Sequence, residues 1–468
     1  MALTRYFIQH LHWPLMEKIK QNKTRWYIRD MKEMESLSTA QIAETQASRL
    51  ADLLRHAVAT VPAYQPWLAQ QEAIGQDPIA FLQQFPILSK ADFRQHHQRY
   101  LSTALSPATK LIPNRTGGST GEPIRFYLDR YTVEHYEAAR WYGLSWHEIE
   151  PGDPSIMVWG SPIELNQRQK RRYLWKERFL KNRLLLPAYE LQRAKLDDYL
   201  RLLHSFKPAY LYGYASALHL LAELLLQSGR KPGIPLKAVV STAETLLPHQ
   251  RERIAEAFQA PVVNEYGARD GGILAYQCPA GGMHIFSQNC LLETVDPVSK
   301  QPVGPGQPGL LLVTDLHNYS MPRLRYQLGD IVKLSRDVCS CGRNLPLLEA
   351  IEGREDDMFV STSGQFVHGH YFNHLMRNLD SFLSFQLIQH EPRRLSVKLV
   401  KHPEKYKQTE ERQFIDGIRQ SLGNDVEIAL EYVAEIPPSA SGKQRYAIRQ
   451  FPIELSGNGA STPFPPAH

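Results

Sequence analysis

Cysteine is scarce in this chain: four among 468 residues, Cys278, Cys290, Cys339 and Cys341. That is too few for the disulfide framework of a secreted protein, and it fits a reducing compartment. Long apolar runs are missing too. The greasiest helical stretch, residues 218–226, is interrupted by His219 and Glu223, so no transmembrane segment is expected. Met1 to Leu15 scatters Arg5, His10 and His12 among apolar residues and lacks a signal-peptide cleavage pattern, which points to a cytoplasmic protein. A large excess of one charge is also absent. The net charge of +6 does not by itself imply nucleic acid or an acidic membrane, and no nucleic-acid partner is expected.

With 43% hydrophobic and 22% charged residues, the chain has material for more than one packed core, and two domains are expected. Charge is uneven along it. Arg168, Lys170, Arg171, Arg172, Lys176, Arg178, Lys181 and Arg183 face a single acid, Glu177. Such a run reads as a solvated helix face or, more sharply, as a docking surface for a phosphate-bearing acceptor.

Over residues 38–61, Ile42, Ala47, Leu50, Leu54, Ala57 and Val61 recur at helical spacing and stop at Pro62. Ser89 is placed to cap a short helix before Tyr100. Short β-rich runs then alternate with helical patterns: 156–159, helix 191–206, helix 216–227 and the run 238–240. This alternation predicts an α/β domain with parallel or mixed sheets and helices. Runs 284–295 and 310–316 read as strands of a second sheet. After Gly353 the pattern restarts on a smaller scale, with Leu395, Val397, Leu399 and Val426, Ile428, Leu430, Tyr432 flanking a helix over 408–422. The expected organisation is a large domain over 1–352, helical over its first 100 residues, a small α+β domain over 353–455, and a disordered Gly/Ser/Pro-rich tail over 456–468.

Residues 114–123, Asn-Arg-Thr-Gly-Gly-Ser-Thr-Gly-Glu-Pro, concentrate glycines and hydroxyls just before an alternating stretch. Glycines admit close approach of backbone N–H groups to an anion, and Thr116, Ser119 and Thr120 add donors. A polyphosphate suits such a loop, although neither the Walker nor the Rossmann pattern is present. The segment Thr116, Gly117, Gly118, Ser119, Thr120, Gly121 resembles the phosphate loop of the adenylate-forming superfamily, in particular its phenylacetate-CoA ligase branch and the CapK-like relatives. Further stretches follow in that family's order. The run from Tyr212 through Gly213 and Tyr214 to Ser216 resembles the segment lining its acyl pocket, and Ala243-Glu244 its adenine-contacting turn. Glu265-Tyr266-Gly267-Ala268-Arg269-Asp270 resembles the loop with an adenine-stacking tyrosine and a magnesium-binding acid. Asp330 matches the ribose-binding aspartate, Gly353 to Asp357 the interdomain hinge with Asp356 at its centre, and Lys443 the C-terminal catalytic lysine.

The resemblance implies an ATP- and magnesium-dependent ligase with a mobile C-terminal domain. It would turn a carboxylic acid into an acyl-adenylate and pass the acyl group to an amine, a sugar hydroxyl or CoA, the first two in polysaccharide biosynthesis. The alternatives are a phenylacetate-CoA ligase-like acyl-CoA synthetase and a degenerate nucleotide-binding scaffold. In the catalytic set, Lys443 would bridge carboxylate and α-phosphate, and Arg354 would fork onto phosphate or ribose oxygens. Asp270 would hold magnesium, as an oxygen donor suits a hard cation. The pair Arg269-Asp270 departs from the family's commoner Thr-Glu, so Glu244 is a second candidate for the metal. Oligomeric state is not legible.

Cys278, His284, Cys339 and Cys341 form C-x5-H followed far along by C-x-C. Three thiolates and an imidazole suit a closed tetrahedral zinc site that staples two loops and leaves no open position for catalysis. Cys290 reads as core.

Overall fold

The computed structural model describes residues 2–106, 109–115, 124–159, 167–188, 191–354, 358–363, 366–377, 379–437 and 445–451. Thr116, Gly117, Gly118, Ser119, Thr120, Gly121, Asp356, Lys443 and the 456–468 tail lie outside the described residues.

Five strands pair in parallel, in the order Val262–Ala268, Ala238–Thr242, Tyr210–Tyr214, Ser155–Trp159, Arg183–Pro187. Between consecutive strands run the helices Gln167–Leu180, Leu196–Phe206, Ala215–Gln227 and Pro248–Phe258. Helices on a parallel sheet bury both of its faces, so its central strands carry few exposed positions. Accordingly every residue of Tyr210–Tyr214 and of Ala238–Thr242 is buried. On one face Val158, Leu211 and Val239 pack with Leu218 and Ile254 of the crossover helices. On the other, Tyr210, Val240 and Val263 pack with Ala138 and Tyr142 of helix Arg130–Ser145. Strand contact is close at Gly213, where a Cβ would stand 2.5 Å from the Val158 carbonyl oxygen.

The antiparallel strands do not form a second sheet. They continue the parallel one through Gly272–Gln277, Met283–Ile285, Leu347–Arg354, Tyr326–Leu334, Pro308–Asp315 and Cys290–Val295, giving eleven strands in all. The run expected over 284–295 is two strands broken at a turn, and the first, Met283–Ile285, is the seam between the two halves. The seam is narrow: Leu347 pairs with His284 and Leu348 with Met283. Those partners are over 60 residues apart in sequence, so local periodicity contains no sign of the join.

The helical lead-in is anchored on the antiparallel half. Helix Thr39–Thr60 begins with a capping box between Ser38 and Gln41, as its amphipathic spacing and serine start require. Leu88 N–H donates to the Arg325 carbonyl, and the Arg325 guanidinium donates to the carbonyls of Gln83 and Phe85 at 3.1 and 2.8 Å. Ser89 caps helix Lys90–His96 through the Asp92 N–H.

A separate four-stranded sheet follows, ordered Glu427–Tyr432, Arg394–Lys401, Phe382–Glu391, Ala447–Arg449. Its core holds Phe372, Phe385, Leu395, Val397, Leu399, Phe414 and Ile418, and no buried member of that cluster precedes Phe359.

Candidate active site

In open parallel sheets ligands bind beyond the carboxyl ends of the strands. There, Tyr212 Oη donates to Glu265 Oε1 at 2.6 Å and Thr242 Oγ1 donates to the same oxygen at 3.1 Å. Helix Arg130–Ser145 brings Arg140 Nε to 3.5 Å from Glu265 Oε2, with the guanidinium 5.6 Å from the Tyr212 ring centre. Glu265 is therefore held by internal partners. Past the end of strand Ala238–Thr242, Ala243 takes φ of 65°, a left-handed backbone that a non-glycine residue adopts under constraint. This turn aims Glu244 back at the start of the preceding helix, Ala215–Gln227, where its Oε2 accepts the Ser216 N–H at 2.8 Å. Tyr214 packs on Trp159 with ring centres 4.2 Å apart.

Successive side chains of a strand take opposite faces. Tyr266 accordingly leaves Glu265 and joins a second group. Its Oη donates to Asp330 Oδ2 at 2.7 Å, while Asp330 Oδ1 meets Arg354 Nη1 at 3.2 Å. Asp330 and Arg354 are cross-strand partners, so the sheet register itself aligns them. Burial, reinforced by the Asp330 carboxylate, pushes the Tyr266 phenol well above its ordinary range and keeps it a donor. Gly329 has φ of 81°, and a Cβ there would come 3.3 Å from Arg354 Nη2. Asp270 is 6% exposed and its Oδ2 accepts from Tyr326 Oη at 2.8 Å. Arg269 Nη1 lies 3.4 Å from the carbonyl of Arg115, the last described residue before the glycine-rich segment.

Of the residues singled out in the sequence, the structure brings Tyr266, Asp330 and Arg354 into one hydrogen-bonded group. It gathers Tyr212 and Glu265 into another, and joins Ser216 to Glu244. Several neighbours carried no sequence signal. Lys90 Nζ donates to the Leu328 carbonyl at 2.6 Å beside Gly329. Tyr136 Oη donates to the buried Asp315 carboxylate. Arg323 is 1% exposed, its guanidinium 5.1 Å from the Phe126 ring and without a hydrogen bond among the described residues. Helical spacing could mark Tyr136 and Arg140 only as one face of a helix.

The fourth group is the Cys/His cluster. Ligand atoms of Cys278, His284, Cys339 and Cys341 all lie within 4.8 Å of one another. Two sulfurs about 2.3 Å from a tetrahedral ion stand roughly 3.8 Å apart; Cys278 and Cys339 sulfurs are 3.6 Å apart, and His284 Nε2 is 3.2 Å from Cys341 Sγ. His284 Nδ1 faces the Leu345 carbonyl at 3.1 Å. Donation there places the proton on Nδ1 and leaves the Nε2 lone pair directed at the thiols, the outer hydrogen bond typical of metal-binding histidines. Donor set and spacing fit zinc. Gly282 permits it, since a Cβ would stand 2.6 Å from Cys339 Sγ. Cys290 is apart, 1% exposed in the core.

Comparison with known proteins agrees with this geometry. Residues 359–450 match the CapK C-terminal domain. Protein CapK of Staphylococcus aureus is 25% identical over 436 residues, 92% of this chain and 94% of its own. Phenylacetate-coenzyme A ligase of Thermus thermophilus is 25% identical over 338 residues, 70% of this chain and 74% of its own. Among solved structures, 2-hydroxyisobutyryl-CoA ligase in the postadenylation state superposes with a TM-score of 0.69 at 19% identity, covering 89% of this chain and 91% of that one. The same ligase in the thioesterification state gives 0.57. The matched C-terminal domain and a relative aligned along nearly all of both chains make this chain similar to the CapK-like branch of the adenylate-forming superfamily, and its fold is that of the adenylate-forming CoA ligases.

Proposed function

We propose that this protein is an adenylate-forming ligase that joins a carboxylic acid to AMP at the expense of ATP, and then delivers the acyl group to an amine or sugar hydroxyl rather than to CoA. The observation that carries this reading is the Tyr266, Asp330, Arg354 group, which offers an aromatic ring, a carboxylate and a guanidinium within one hydrogen-bonded cluster. Tyr266 would stack on adenine, Asp330 accept from ribose hydroxyls and Arg354 fork onto ribose or phosphate oxygens. Asp270 has one oxygen engaged by Tyr326, and its other makes no hydrogen bond among the described residues. That oxygen suits magnesium, which would neutralise phosphate charge when bound. Glu244 is less suited, because its carboxylate is anchored on Ser216 N–H.

Lys443 lies outside the described residues, and its role is proposed from the resemblance in sequence. Burial raises the phenol of Tyr446, three residues on, and the Glu244 carboxylate adds to the shift. The overlap is greater with the postadenylation form than with the thioesterification form. A boundary near residue 352, with Asp356 as the pivot, would let the C-terminal domain turn between two half-reactions. Two anionic reactants meet in the first of these, and a lysine ammonium between them would lower the barrier chiefly by charge neutralisation. Zinc at the cysteine cluster would be structural.

The choice of acceptor rests on likeness in sequence: the CapK relative is matched along 92% of this chain and the phenylacetate-CoA ligases along about 70%. A place in polysaccharide assembly is part of the same proposal. The test is carboxylate-dependent exchange of pyrophosphate into ATP across a panel of acids, then supply of CoA, amines and sugars. Exchange should be seen with at least one acid and vanish in Lys443→Ala while ATP still binds. No exchange with any acid, despite tight ATP binding, would make this a nucleotide-binding scaffold.

A further inference from the structure

We propose that the N-terminal helices and the basic helix Gln167–Leu180 form a face that seats this protein on an anionic lipid surface. The helical run from Ala2 to Lys20 passes through a π-turn at Ile8–His12. Its inner side is anchored: Ile8 is buried against Gly152, Arg5 pairs with Asp153 at 3.1 Å, and Trp13 meets Trp141 with ring centres 5.7 Å apart. Its outer side is apolar. Phe7, Leu11, Leu15 and Ile19 are each more than half exposed and recur every four residues. In a straight α-helix each such step drifts by roughly 40°; the wider π-turn at Ile8–His12 offsets part of that drift and leaves the four on one side.

Charge distinguishes this face from an ordinary greasy patch. Between residues 4 and 26 the one acid, Glu17, is buried and held by Arg25 at 2.6 Å, whereas Lys18, Lys20 and Lys23 are exposed. Helix Gln167–Leu180 repeats the design. Trp175 and Phe179, 56% and 58% exposed, stand one turn apart beside exposed Arg171, Arg172 and Lys176. Its sole acid in the described side chains, Glu177, is buried between Lys181 and Arg183. Both elements abut the turn at 150–154, since the Gly152 carbonyl also accepts from Asn182 just past the basic helix. Exposed aromatic and aliphatic side chains rimmed by unopposed cations are what a headgroup layer of negative lipids binds. A protein partner of ordinary composition would meet cations without carboxylates to answer them.

The experiment is flotation of the full chain with vesicles of phosphatidylcholine alone or with about a third phosphatidylglycerol. Binding is expected on the anionic vesicles, weakened about fivefold for each of Lys18, Lys20 and Lys23 changed to Gln. Leu11→Asp with Leu15→Asp, both on exposed sites, should abolish it with an unchanged melting temperature. Absence of binding to either vesicle overturns the proposal, as does equal binding to both. Concentration-dependent dimerisation lost in the Leu11/Leu15 variant, with no vesicle binding, would instead make this face an interface between copies.

Discussion

Acid should weaken this fold from below pH 6.5, through two stacked histidines. His135 and His317 lie with ring centres 3.5 Å apart and planes 6° from parallel, both almost fully buried. His317 Nε2 is 3.0 Å from the Gln288 carbonyl and Nδ1 is 3.2 Å from Tyr131 Oη, which assigns the proton to Nε2. Among the described residues His135 makes no hydrogen bond with either nitrogen. Burial, with Arg49 nearby, holds His317 down to about 3; burial, then His317, holds His135 down to about 2. Both folded values lie below the ordinary 6.5. As pH falls past 6.5 the unfolded chain takes up protons that the native one refuses, so stability declines, and it continues to decline towards pH 3. Each ring contributes about 1.4 kcal/mol per pH unit, or up to about 5 kcal/mol for the pair between pH 6.5 and 4.5. Calorimetric melting of wild type and His135→Phe from pH 7.5 to 4.5 measures this. Phenylalanine keeps the stack and removes two unsatisfied nitrogens, worth about 1–3 kcal/mol. The variant should melt higher at neutral pH and lose about one proton from the acid slope. An unchanged slope, or a lower melting point at pH 7.5, would refute the reasoning. Helix Arg130–Ser145 carries His135 together with Tyr136 and Arg140, so the same acid limb should appear in activity.

Other outcomes follow from the site and the sheet. The purified protein should carry about one zinc per chain by elemental analysis. Cys341→Ser should lose most of it and melt several degrees lower, while metal-free wild type would remove the zinc reading. Gly213→Ala places a Cβ 2.5 Å from a backbone oxygen; strand displacement should cost about 1–3 kcal/mol or more, read in chemical denaturation. Asp330→Asn keeps the shape but exchanges the Arg354 ion pair for a neutral amide. ATP affinity should fall about tenfold or more in calorimetry, and undiminished affinity would move the ribose site elsewhere.

Where physics is local, the sequence was readable. Ser38 and Gln41 announce a capping box, Ser89 a cap, and the strict alternation of Leu395, Val397 and Leu399 a one-faced strand. The Cys/His cluster was legible because thiolates and imidazole have few other reasons to occur at such spacing. Asp330 and Arg354 were legible by resemblance, yet their pairing depends on a cross-strand register that no motif states. The single eleven-stranded sheet was missed for the same reason. Arg140 and Tyr136 were hidden because polar residues on a half-buried helix look like its solvent side until the facing carboxylates are known.

The narrow seam at Met283–Ile285 has a mechanical meaning. One sheet half carries Tyr212, Ser216 and Glu244; the other carries Asp330 and Arg354; only a three-residue strand splices them. His284 lies in that splice, Cys278 ends the strand on one side, and Cys339 and Cys341 lead into the strand on the other. A metal held there acts as a rivet through the joint. On the proposed reading the gap between the acid pocket and the nucleotide pocket would then become a fixed gauge, and stripping the ion would blur catalytic alignment before it melts either half.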